Sequence, residues 1–330
     1  MSRPLTVRRL VAEYAPNLRA VLHAGRLLRY SAGNGVGDGL PAHVRAASAI
    51  RRRGSRLIVV QDDVNAFAVL DATGGVVPLL LPTGPDGQRM FDDRSGSKHL
   101  KMDLEAGVVL PDGRLVAFGS GSSPMREQLV VVGPGSRVQI VPVASVYAGL
   151  RRFTEALGAE LNIEGAGVQG DRLRLLQRGN GARGCGSAGN AIFDFSLSMF
   201  VAWLHGGHST PAVTGTIEVD LGETEGVPFA FTDAAITDDG RFAFVACAED
   251  SRDVRTDGPV LGCRFGWLDD AGLRLTDVVD AHGRPTNVKL EGIESRARTD
   301  RVFDVVADMD RPDEPAWAFE LHVSREARQS

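Results

Sequence analysis

A two-stranded unit that returns along the chain limits this sequence more than any other feature. Its clearest copy is Leu104 to Pro124, LEAGVVLPDGRLVAFGSGSSP. An acidic residue opens a short apolar strand, a turn around Asp112-Gly113 reverses it, Arg114 starts a second strand, and a small or polar cluster ends it. The other copies are Ser48 to Asp63, Glu164 to Asn180, Asp233 to Asp250 and Glu291 to Asp310, each with an Arg followed by four mostly apolar residues. The anchors Ser48, Glu105, Glu164, Asp233 and Glu291 lie 57, 59, 69 and 58 residues apart, a period near that of propeller blades rather than helical solenoids.

The period makes residues 1–330 a single domain, although the length alone would allow two. Further strand patterns follow each hairpin, such as AFAVLD and GVVPLLLP after the first, so a period holds four strands. The second strands RLIVV, RLVAF and RFAFV are almost continuous apolar runs, as expected when both faces are covered. A short helix is predicted over Ala144 to Leu157, where Val146, Leu150, Phe153 and Leu157 share a face, and Ala191 to Leu204 reads as strand then helix. Leu5 to Ala12 reads as a strand and Leu18 to Ser31 as a degenerate hairpin. From Glu291 through Ser330 and round to Ser48 is 87 residues, more than one period and fewer than two. The expected fold is therefore an all-β propeller of five blades, six if Leu18 to Ser31 founds one. An amino-terminal strand would complete the last blade and close the ring.

A net charge of -5 argues against nucleic-acid binding, which needs a basic stripe to replace phosphate counterions. Arg51, Arg52 and Arg53 sit at a predicted turn and read as a solvated loop. Cys185, Cys247 and Cys263 give neither an even disulfide framework nor a zinc spacing, and two lie in apolar strand patterns as expected of buried thiols. The first residues, MSRPLTVRRLVAEYAP, lack the apolar core of a signal peptide, and no window of about 18 uncharged apolar residues exists to span a bilayer. These readings give the cytoplasm as the expected location, with no membrane or nucleic-acid partner.

In a blade the start of the first strand and the end of the second lie on one face of the disc. Five copies would thus gather Ser48, Glu105, Glu164, Asp233 and Glu291 around one channel mouth, with Gln61, Asp62, Asp63, Ser120, Ser122, Gln177, Arg178, Asn180, Glu249, Asp250, Asp308 and Asp310 around them. Converging carboxylates raise one another's pKa and need a neutralising partner. One solution is a hard divalent cation, and oxygen donors without His or Cys point to calcium or magnesium. The other is internal pairing with Lys98, Lys101, Arg178 and Lys289, which sit beside the acids in sequence.

The runs VQDD, FDDRSGSKHLKMDLE, FGSGSSP, LNIEGAGV with QRGNGA, FTDAAI, AEDS with DGPVLG, and KLEGIE resemble an uncharacterised bacterial family expected to form β-propellers. They occur in the same order over about residues 45 to 310. More remotely, the Glu-Gly strand openings resemble calcium-dependent propellers of the phytase-like, esterase-like and gluconolactonase or paraoxonase-like groups. That resemblance implies a calcium held by Glu105, Glu164, Asp233 and Glu291 that polarises an ester, lactone or phosphate. The basic residues beside these acids depart from that pattern, and no His-Asp base pair can be assigned.

Gly184 to Gly189 fits G-x-G-x-x-G literally, but lacks the strand, helix and later acid of a dinucleotide site and reads as a loop. His99, just before Glu105, is a general-base candidate near the mouth. Ser120, Ser122 and Ser123 lack a nucleophile elbow. Two functions follow from different classes. One is a hydrolase or lyase for a small polar or anionic substrate, with Ca²⁺ as Lewis acid, Lys101, Arg178 or Lys289 orienting negative charge, and His99 as base. The other is a non-catalytic ligand-binding or protein-interaction propeller whose mouth is a structural cation or ion-pair site.

Overall fold

The computed structural model describes residues 7–31, 39–179, 189–251, 258–299, 301–311 and 313–325. Asn180, Gly184, Cys185 and the rest of the glycine-rich loop up to residue 188 lie outside them. The amino-terminal part supplies β1 (Val7–Val11), β2 (Glu13–Tyr14) and β3 (Leu18–Leu27). The first repeat forms β4 (Ala47–Arg53), β5 (Arg56–Gln61), β6 (Ala66–Leu70) and β7 (Val76–Leu80). The second forms β8 (Leu104–Val109), β9 (Leu115–Gly119), β10 (Gln128–Val132) and β11 (Val138–Pro142), followed by α1 (Ala144–Ala156). The third has β12 (Ile163–Gln169), β13 (Arg172–Gln177), β14 (Ala191–Ser196), α2 (Leu197–Leu204) and β15 (Val213–Asp220). A small hairpin of β16 (Glu223–Thr224) and β17 (Val227–Pro228) leads to β18 (Ala230–Ile236), β19 (Phe242–Glu249), β20 (Val260–Asp269) and β21 (Gly272–Asp280). The fifth has β22 (Lys289–Ser295), β23 (Val302–Asp308) and β24 (Trp317–Arg325).

Each repeat is an antiparallel, blade-like sheet running outward from its first strand. The reversals use the chemistry expected of them. Gly113 and Gly240 close the first-to-second-strand turns with φ of 82° at both, a conformation that costs a glycine little and a β-branched residue much. The second strands are buried along almost their whole length, β19 completely, because neighbouring sheets pack on both faces. Apolar clusters fill those interfaces. Ala106, Phe118, Ile163 and Leu175 meet between the second and third repeats, and Leu176, Phe231 and Phe244 between the third and fourth. α1 lays Val146, Tyr147 and Leu150 on the second of these sheets, where Tyr147 donates a 2.6 Å bond to the Gly119 carbonyl.

The first strands are neighbours in space: β4 lies against β8 and β22, β8 against β12, β12 against β18, and β18 against β22. The amino-terminal segment crosses three sheets. β1 adds in parallel to β15, β2 in parallel to β21, and β3 becomes the fourth strand of the last sheet, antiparallel to β24. β3 also runs parallel to β21 over Ala20–Leu22, so the fourth and fifth sheets are continuous. Leu18 to Leu27 is thus one ten-residue strand, not a degenerate hairpin. Its alternation of buried Leu18, Ala20 and Leu22 with outward-facing residues suits a sheet.

Two further sequence expectations are corrected. Cys247 and Cys263 are joined by a disulfide, because they sit directly opposite one another on β19 and β20. Arg51 is not in a solvated loop: β4 carries it inward and it is buried. Among the described residues no helix is long and apolar enough to cross a membrane.

Candidate functional site

Each first strand carries a register shift near its start, and the same residue is displaced each time. The pairing skips from Ala47 to Ala49, Leu104 to Ala106, Ile163 to Gly165, Phe231 to Asp233 and Leu290 to Gly292. The bulged residues are Ser48, Glu105, Glu164, Thr232 and Glu291. A bulge re-aims the displaced side chain. Four anchors of the sequence repeat are therefore equivalent, and the fourth copy is off by one: Thr232 occupies the place given to Asp233. A slip of one residue sends a side chain to the other side of a strand. Asp233 accordingly matches Ala49, Ala106, Gly165 and Gly292 and does not join the mouth acids.

Ser48 and Thr232 spend their hydroxyls on the next first strand. Ser48 Oγ donates to the Leu104 carbonyl at 2.6 Å and Thr232 Oγ1 to that of Leu290 at 2.5 Å. The three glutamates instead share the mouth with acids from the second-strand ends. Lys101 Nζ is ion-paired to Asp62 and lies 2.5 Å from Asp103. Asp103 also binds Arg126 at 2.9 Å and accepts from Ser120 Oγ. Arg178 spans Glu164 at 3.3 Å and Glu249 at 2.7 Å, and Asn162 Nδ2 donates to Glu164 at 2.6 Å. Lys289 Nζ lies 2.9 Å from Glu291, 3.5 Å from Glu249 and 3.6 Å from Asp310. Gln61 and Gln177 bracket their own strand ends, through Ala66 and through Glu160 and Arg178 respectively.

The carboxylates outnumber these cations. Among the described residues, Glu105 and Asp308 have no ion pair within 4.0 Å, and buried oxygens of Asp62 (Oδ1) and Glu291 (Oε2) have no hydrogen-bond partner. Asp62, Asp103 and Glu105 each offer an oxygen within 4.8 Å of the others. All three donors are oxygens, which suits a hard divalent cation.

Burial pushes Glu105 well above the ordinary carboxyl range, helped by Asp62 and Glu164, and does the same to Asp308, helped by Asp310 and Asp62. Glu164 is pushed up to about 8 by burial, which outweighs Arg178. For Asp103 burial loses to Lys101 and Arg126, and its pKa is lowered. Glu249 is lowered for the same reason by Lys289 and Arg178. Two kinds of carboxyl thus stand side by side, one retaining a proton near neutrality and one ionised.

The sign of the resulting pH dependence follows. Between the ordinary value of 4.5 and about 8 the native state holds a proton on Glu164 that the unfolded chain has lost, so stability falls as pH rises through that window. The metal-free melting temperature is expected to decline between about pH 5 and pH 8, and Glu164→Gln to flatten the decline. A flat wild-type profile over this range would contradict the assignment.

Below the mouth, Arg51 lies across the axis. Its guanidinium donates to the carbonyls of Ile50 at 2.5 Å, Ala166 at 3.0 Å, Ile293 at 3.1 Å and Gly107, and it pairs with both oxygens of Asp233 at 2.7 and 2.5 Å. One group therefore touches β4, β8, β12, β18 and β22. Asp233 also accepts from Ile293 N–H at 2.9 Å. The structure brings Lys101, Arg178, Lys289, Glu105, Glu164 and Glu291 together, sends Asp233 to Arg51, and leaves His99 exposed with Nδ1 3.0 Å from the Gly96 carbonyl. That placement does not support a general-base role for His99. Asp62, Asp103 and Asp308 complete the acidic group. Asp62 and Asp308 follow from the ends of the second strands, whereas Asp103 is marked only by its place two residues before Glu105.

The fold and site define an all-β protein of blade-like sheets with an acidic mouth threaded by ion pairs. The chain belongs to the "Family of unknown function (DUF6929)", whose profile matches residues 43–323. No match is found among curated proteins. Among solved structures it is similar to glutaminyl cyclase from Myxococcus xanthus, at 12% identity over 98% of this chain and 100% of that one, with a TM-score of 0.44. It is also similar to a gluconolactonase from Xanthomonas campestris, at 11% identity over 94% and 99%, with a TM-score of 0.42. Virginiamycin B lyase from Staphylococcus aureus is similar at 9% identity over 93% and 99%, with a TM-score of 0.40. Likenesses this distant carry no argument about activity.

Proposed function

We propose that the chain is a closed five-bladed propeller whose mouth binds one divalent cation, calcium by its donor chemistry, and acts as a hydrolase or lyase on a small polar or anionic substrate. The grouping of Asp62, Asp103 and Glu105 within 4.8 Å carries this reading, together with the unpartnered Asp62 Oδ1 in the same place. These three residues would hold the ion, in place of the set Glu105, Glu164, Asp233 and Glu291. Bound calcium would supply Lewis acidity toward a substrate oxygen. Lys101, Arg178 and Lys289 would orient a substrate anion, and burial of the mouth would strengthen each of those contacts.

A second reading has its own observation: Lys101, Arg178 and Lys289 each already pair with two or more acids. On that reading the mouth is a structural network and the protein a binding or scaffold propeller. A panel of esters, lactones and phosphate esters, assayed with calcium and with chelator, separates the two. The enzyme reading expects calcium-dependent turnover that falls at least about 100-fold in Glu105→Gln, the scale of losing one charge-stabilising group. Turnover unchanged in that variant would remove Glu105 from the site.

A further inference from the structure

We infer that a borderline divalent cation, of the zinc, nickel or copper(II) kind, binds to His23 and His322 and so pins the closing strand β3 to β24. One ligand comes from the amino-terminal strand and the other from the carboxy-terminal strand. The two strands pair antiparallel, with His23 opposite Glu320 and Val21 opposite His322. Side chains alternate along a strand, so both histidines and Glu320 share the face opposite to buried Leu22 and Leu321. The histidines are diagonal neighbours, a spacing that rings can bridge, and their ring centroids lie 4.1 Å apart. His23 is exposed and the His322 side chain is 43% exposed, so a dissolved ion can reach both.

The surroundings of His322 point the same way. Its Nε2 lies 3.1 Å from Glu320 Oε2. An ionised carboxylate only accepts, so Nε2 carries the proton of that bond and the neutral ring offers Nδ1 as the ligand atom. Glu320 is held in turn: its Oε1 accepts from Arg296 at 2.8 Å, and Arg296 donates to Asp304 at 2.9 and 2.6 Å. Asp304 also accepts from Arg52 of β4 at 2.6 Å. A carboxylate placed this way fixes the orientation of a metal-binding imidazole and raises its basicity. Both oxygens of Glu320 are engaged, so the protein ligands are two ring nitrogens, with water completing the coordination. The χ2 torsion of histidine is broad, and the exposed His23 ring can turn a nitrogen toward the same ion. Imidazole favours zinc, copper and nickel, whereas the oxygen donors of the mouth favour calcium.

Titration of the full chain with Zn²⁺ in the presence of excess Ca²⁺, followed by calorimetry and thermal unfolding, tests this. Saturable binding that raises the melting temperature is expected, because an ion bridging β3 and β24 favours the folded state. His23→Ala and His322→Ala alter solvent-facing side chains and are each expected to weaken zinc binding at least about tenfold while leaving the metal-free melting temperature unchanged. Glu320→Gln, which removes the orienting charge but no ligand, should weaken it about tenfold. Glu105→Gln should leave it unchanged, which separates this site from the mouth. With one equivalent of Cu²⁺, electron paramagnetic resonance should show two coordinated nitrogens in the wild type and one in either histidine variant. No saturable zinc binding, an affinity that either histidine variant leaves intact, or a copper signal that neither variant alters would overturn the proposal.

Discussion

Arg51→Met is expected to destabilise the protein by about 3–5 kcal/mol, the range for removing one partner of a buried ion pair. The substitution strips Asp233 of its cation and withdraws donors from four carbonyls on four strands. Burial already pushes Asp233 up to about 6 with Arg51 in place. Without Arg51 the carboxyl takes up a proton near neutrality or remains as an uncompensated charge, and either costs stability. Arg51→Met with Asp233→Leu should recover much of the loss, since an apolar pair of similar volume often replaces a buried ion pair well. Urea unfolding of the three variants measures this. A loss under about 1 kcal/mol in the single variant, the scale of an exposed pair, would show that Arg51 does not tie the first strands together.

Removing residues 1–27 is expected to abolish cooperative folding, while removing 1–16 leaves a folded protein with a lower melting temperature. The shorter cut loses β1 and β2, which add to outer strands and expose Val7, Val11 and Tyr14. The longer cut takes β3, which buries Leu18, Ala20 and Leu22 and pairs with both β24 and β21. Each leucine contributes about 1.5–3 kcal/mol by burial, and the cut leaves strand edges on two sheets unpaired. Domains have only about 5–15 kcal/mol to lose. Circular dichroism and thermal unfolding of both truncations measure this, and a cooperative transition in the longer one would contradict β3 as the closing strand.

The hairpin repeat was legible because its signals are local: an apolar run, a turn glycine, an arginine and a second apolar run. The helix over Ala144 to Ala156 was legible for the same reason, through its shared apolar face. The bulge was not, since a displaced residue has no composition of its own. A usable signal existed in the apolar residue before it. Leu104, Ile163 and Leu290 precede Glu105, Glu164 and Glu291, and Phe231 precedes Thr232, which points to Thr232 rather than to the nearest acid. Arg51 was hidden by its neighbours: three consecutive arginines look solvated, but strand alternation turns the first inward, where the opposing strands offer small residues such as Gly107 and Ala166. The disulfide depended on cross-strand register, which cysteine spacing does not reveal.

The most direct test of the central claim is calcium binding by the metal-free protein, followed by calorimetry and thermal unfolding with and without chelator. One site per chain is expected, raising stability by about 2.7 kcal/mol at a hundredfold excess over Kd. Chelator should reverse that gain, and Asp62→Asn or Glu105→Gln should abolish it. No heat of binding, and the same melting temperature in calcium and in chelator, would contradict a cation site at the mouth and leave the carboxylates to the ion pairs alone.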